Sequence, residues 1–170
     1  PIEAALLDIA GKSSFDLDAD EQGRKYKEEL ISAGRGFSSN SAKDASLEKV
    51  AWQAMDEGRI DAVISGAHVI RDDDKRNRLL HSMTIECLRN CDMLPWAVYG
   101  VRNIRNDYPT ALDLTRKLNE RYAQCRAEGW TPKPTTAADF APETAAGAAP
   151  AAEGQAAQDG SAPAEQKDAQ

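Results

Sequence analysis

Between residues 2 and 130 the sequence carries proline only at Pro95 and Pro109, while apolar side chains recur at intervals of three and four. A proline inside a helix removes a backbone donor and clashes with the preceding turn. A long stretch nearly free of it, with that spacing, is confined to amphipathic helices. Strand-like alternation is scarce and no internal repeat is visible. The expected fold is all-α, a compact orthogonal or irregular bundle of about five to seven short helices.

The pattern stops near Trp130. From Ala137 to Gln170, 14 of 34 residues are alanine, interrupted by Pro142, Pro150 and Pro163, and Phe140 is the only large apolar side chain. Alanine alone buries too little surface to offset the entropy of ordering the backbone. The chain therefore divides into a helical domain, residues 1–130, and a disordered Ala/Pro/Gly-rich acidic tail, residues 131–170.

Helix boundaries follow from caps and glycines. Ile2, Leu6 and Ile9 make a short first helix stopped by Gly11. A second starts within Asp16–Asp20 and ends at Gly34 or Gly36, with Tyr26, Leu30 and Ile31 facing inward. The third is capped by Ser41 with Asp44 as a weak capping box, and Gly58 ends it. Residues 59–71 fit either a helix or a short hairpin, and helix is favoured. Asp72-Asp73-Asp74 opens the next helix, which places Leu80, Met83, Cys87 and Cys91 on one face. Trp96–Arg105 forms another short helix, and Asp107 or Tyr108 before Pro109 opens the last.

Charge restricts function. The chain has net charge −7, but residues 1–70 carry −5, residues 71–126 carry +3 and residues 127–170 carry −5. The whole-chain field repels a polyanion at long range, while the middle region can attract one at short range. No apolar run approaches the ~20 residues of a membrane helix. The sequence does not open on a basic region followed by an apolar run, so no secretory signal is expected. Three cysteines, Cys87, Cys91 and Cys125, suit a reducing compartment better than a disulfide framework, and a cytoplasmic location is expected.

No residue pattern assembles known chemistry. Asp16, Asp18 and Asp20 imitate the start of an EF-hand loop, but Glu21 and Lys27 replace its glycine and its final glutamate. They read as N-capping acids. Cys87 and Cys91 with His81 or Cys125 do not reproduce a zinc spacing, and His81 lies about 120° around the helix from Cys87. Ser65, His68 and Asp72 sit on one short segment and do not converge. No metal, cofactor, catalytic residue or small-molecule ligand is expected.

The most suggestive constellation is basic and aromatic. Trp96, Tyr99, Arg102, Arg105 and Tyr108 recur every third residue, and Lys75, Arg76, Arg78 and Arg89 precede them. Flat rings and guanidinium planes stack on unpaired bases, and cations hold phosphates. These nine residues are the candidate nucleic-acid contacts, although a step of three residues winds them around the helix rather than along one stripe. The leading expectation is a non-enzymatic helical interaction module, a small accessory subunit of a larger cytoplasmic assembly acting through protein–protein contacts. The alternatives are a nucleic-acid-associated accessory protein using this surface, and an enzyme whose dispersed site leaves no trace in sequence.

Overall fold

A computed structural model describes Leu6, residues 16–37 and residues 39–134. Among them are six α-helices and no strand, as periodicity predicts: α1 (Glu21–Ala33), α2 (Asn40–Asp56), α3 (Ile60–Val69), α4 (Asp73–Cys87), α5 (Leu94–Asn103) and α6 (Tyr108–Ala127). Single 3-10 turns, Leu17–Ala19 and Cys91–Met93, precede α1 and α5. The expected first helix lies outside the described residues except for Leu6, which is helical and fully buried. The expected tail lies outside them beyond Pro134, and residues 131–134 form no regular structure.

The predicted start signals operate through side-chain oxygens. Asp16 accepts from the Asp18 amide, Asp20 caps α1, Asp72 caps α4 and Asp107 caps α6. One cap differs. Ser39, not Ser41, opens α2, accepting from the Ala42 amide at 3.2 Å. Asp44, expected as Ser41's partner, is instead buried and accepts from the Arg71 and Asp72 amides at 3.2 and 2.9 Å. That contact fixes the α3–α4 corner against α2.

The ambiguous segment is helical. α3 buries Ile60, Ala62, Val63, Ile64 and Ala67 on almost every side, and burial of this extent overrides β-branched propensity. Helix α4 is central, packing on α2, α3, α5 and α6. A Cβ added at Gly100 of α5 would lie 2.1 Å from Thr84 Oγ1 of α4, so only glycine permits that approach of α5 to α4.

The α1–α3 junction contains a buried ion pair that sequence gives no reason to expect. Arg59 donates to Asp61 through Nε (3.1 Å) and Nη2 (2.8 Å), and through Nη1 to Asp20 at 2.7 Å. Arg59 is 3% exposed and Asp61 0%. Gly23 lies directly over this pair, since a Cβ there would meet Arg59 Nη2 at 2.9 Å and the Leu17 carbonyl oxygen at 2.3 Å.

The cysteines require a correction. Helix α4 ends at Cys87, so Cys91 does not continue its apolar face; Asn90 starts a new turn by accepting from the Asp92 amide. Cys91 is bonded to Cys125 of α6, and only Cys87 is free, buried in the core, where burial pushes its thiol well above the ordinary range. The odd count is thus one disulfide plus one core thiol. Trp130 Nε1 donates to Asp92 at 2.7 Å and Lys133 pairs with the same carboxylate at 3.2 Å, closing the chain's exit over the cross-link. With the two cysteines 34 positions apart in sequence, loop-closure entropy predicts that Cys91→Ser with Cys125→Ser loses about 3–4 kcal/mol of unfolding free energy. Urea titration of the oxidised wild type against this double variant measures the loss; equal midpoints would show that the bond constrains nothing.

Candidate functional site

The nine candidate contacts do not form one surface. Trp96 is fully buried, because Pro95 starts α5 and turns the next side chain into the core. Arg76 is 4% exposed and is consumed internally, donating to the Ile70 carbonyl at 3.1 Å and to Asp73. Tyr99 is half-buried and its phenol is pushed up by burial. Arg102, Arg105 and Tyr108 are exposed, Tyr108 to 74%. The Arg105 backbone is held by Asn77, which accepts from its amide at 3.0 Å and donates to its carbonyl at 2.6 Å. Arg89 lies past the C-terminal end of α4, paired with Glu86 at 3.0 Å. About 20 Å of helix separates it from Lys75.

Lys75 and Arg78 do meet, in an open depression of about 740 Å³ between α2, α4 and the start of α6. Trp52, His81, Ser82 and Thr110 share it, and so do Asp72, Asp74 and Asp107. Arg78 pairs with Glu48 at 3.2 Å. Two of the carboxylates are helix caps: Asp72 accepts from the Lys75 amide at 3.0 Å and Asp107 from the Thr110 amide at 3.2 Å. Hydrogen bonds from Thr110, side chain first, hold Asp107 below the usual carboxylate range, with a smaller effect from His81. Both helix N-termini that could attract an anion here are already answered by carboxylates. No hydrogen bond joins His81 to Ser82 or Asp107, so these three residues do not form a nucleophile and its base. No group of three metal-ligating side chains occurs among the described residues.

A second concavity has different chemistry. Leu17, Leu30 and Leu47 form its floor, Ile31 and Val69 its walls, and Lys27, Arg35 and Lys43 its rim; its volume is about 350 Å³. It lies between the C-terminal half of α1, the first half of α2 and the end of α3. Ile31, expected to face inward, is 43% exposed on the wall, and Val69 is 48% exposed. The reason is geometric: Leu30 and Ile31 are adjacent and about 100° apart around α1, so both cannot enter one core. Periodicity could have pointed to this wall through that doubled apolar pair, but not to Lys43, which α2 brings to the same hollow.

No protein-family model, curated protein or solved structure matches this chain. No helix among the described residues is long and apolar enough to cross a membrane.

Proposed function

We propose that this chain is a non-enzymatic helical module acting through protein–protein contacts, and that the α1–α2–α3 groove is the surface it uses. One observation carries the reading: two large aliphatic side chains, Ile31 and Val69, stand about half exposed in the lining of one hollow that also holds the buried Leu17, Leu30 and Leu47. Apolar concavities of this kind receive anchor side chains from a partner. Single exposed apolar residues need no explanation, but two that line one hollow do.

The nucleic-acid reading is second. In its favour, Trp52 shares a depression with Lys75 and Arg78, while Arg102 and Arg105 remain exposed. Against it, three aspartates line that same depression and two of the nine candidates are buried. The cytoplasmic location expected from the cysteine count loses that support, because a disulfide persists where surroundings are oxidising.

A photo-crosslinking residue placed at Val69 of the full chain, irradiated in native lysate with and without nuclease, tests the two together. The expected result is a discrete protein adduct that survives nuclease and disappears when Ile31→Lys is added. An adduct lost on nuclease treatment would favour the second reading. Labelling no stronger than from a control position at Glu120 would reject the groove.

A further inference from the structure

Resting on the reading of the groove as the binding surface, we propose that its occupant is an acidic amphipathic peptide segment of another protein. Large apolar side chains of that segment enter between Ile31 and Val69, while its carboxylates meet Arg35 and Lys43. Charge is the first argument. In a chain of net charge −7, the described lining of this groove holds three cations and no carboxylate. Lys27 is matched by Asp18, but neither Arg35 nor Lys43 has a carboxylate partner among the described residues. Ser65, the remaining polar lining residue, spends its hydroxyl on the Asp61 carbonyl at 2.9 Å. Every charge left to meet a ligand is therefore positive.

Shape and reach narrow the occupant further. A volume of about 350 Å³ sits at the small end of the ~300–1,000 Å³ typical of ligand pockets, and suits the few anchor side chains of one helical or extended segment. The chain's own Phe140, flanked by Asp139 and Glu143, has suitable chemistry but starts from the wrong place. The described chain leaves beside Asp92, past the C-terminal end of α4, whereas Val69 precedes the start of that helix. Six residues from Pro134 reach about 20 Å when fully extended, and α4 alone is about 22 Å long.

The test titrates the full-length protein, by fluorescence anisotropy at low salt, with three labelled peptides. All three carry leucine and phenylalanine at the same helix-face positions, with the remaining surface glutamate, glutamine or lysine. The glutamate peptide is expected to bind about tenfold tighter than the glutamine peptide, since a few exposed ion pairs together supply roughly that factor. The lysine peptide should bind more weakly still. The double variant Arg35→Glu, Lys43→Glu should reverse that order, and Val69→Asp should abolish binding of all three.

Equal affinity for the three peptides would overturn the acidic preference and leave the groove reading standing. Binding of none would overturn both. Val69-dependent self-association in sedimentation, Val69-dependent binding to anionic vesicles without peptide preference, or an intramolecular crosslink from Val69 to residues 1–15 would each assign the groove a different occupant and overturn the proposal.

Discussion

Asp61→Ala should lower the free energy of unfolding by about 3–5 kcal/mol, measured by urea titration with helical circular dichroism. Asp61 has no exposed surface and holds Arg59 through two hydrogen bonds, of 3.1 and 2.8 Å. Its Oδ1 also accepts from the Ala62 amide at 2.9 Å, so it orders the start of α3. Removing the carboxylate leaves a guanidinium at 3% exposure with Asp20, itself part-exposed, as its one carboxylate and a 3.4 Å hydrogen bond to the neutral Gln22. The cost comes from the abandoned charge rather than from the pair's net worth. Arg59→Met with Asp61→Leu should therefore destabilise less than Asp61→Ala alone. A single-variant loss below 1 kcal/mol would mean that water reaches the pair.

This cluster also contributes a pH dependence of fixed sign. The hydrogen bond from Arg59 above all, and the Gly23 amide further, hold the Asp20 carboxyl below its ordinary range. A lowered folded-state value stabilises at pH above the unfolded carboxylate pKa, and that contribution is lost as pH falls through the folded value. Acid should loosen the α1–α3 junction.

Trp96→Ala should cost about 3–5 kcal/mol. The ring is fully buried in the core that also holds Leu80, Met83 and Leu94, and no smaller side chain fills its volume. Tyr108→Ala, at a position 74% exposed, should fall within about 0.5 kcal/mol of wild type. The contrast decides what the every-third-residue pattern means. If both changes were neutral, Trp96 would belong to the surface and base stacking by this segment would regain force.

These positions show what periodicity conveys. Helices were legible because their signals are local: Asp72 and Asp107 cap the helices they precede, and Gly58 adopts φ 73° just after α2. Buried faces such as Leu80, Met83 and Cys87 were legible for the same reason. Arg59 and Asp61 were not. Two opposite charges beside a turn ordinarily solvate, and their burial depends on α1 supplying Asp20 and Gly23 from some 39 residues away. The one local hint is that Asp61 stands inside Ile60–Ile64, the most apolar stretch nearby. Cys91 was misplaced because nothing local announces that Asn90 restarts the chain direction. Its partner was invisible without knowing that α6 returns past the end of α4. The groove was not legible: Ile31 was read as facing inward but is 43% exposed, and its meeting with Val69 in one hollow is tertiary.

The bond between Cys91 and Cys125, with Asp92 gripping both Trp130 and Lys133, has a mechanical consequence. Tension applied to the chain beyond Pro134 runs along the backbone into the end of α6 and is shared at Cys125 with Cys91 at the base of α5, so the helix before that clasp does not peel away like an end of thread.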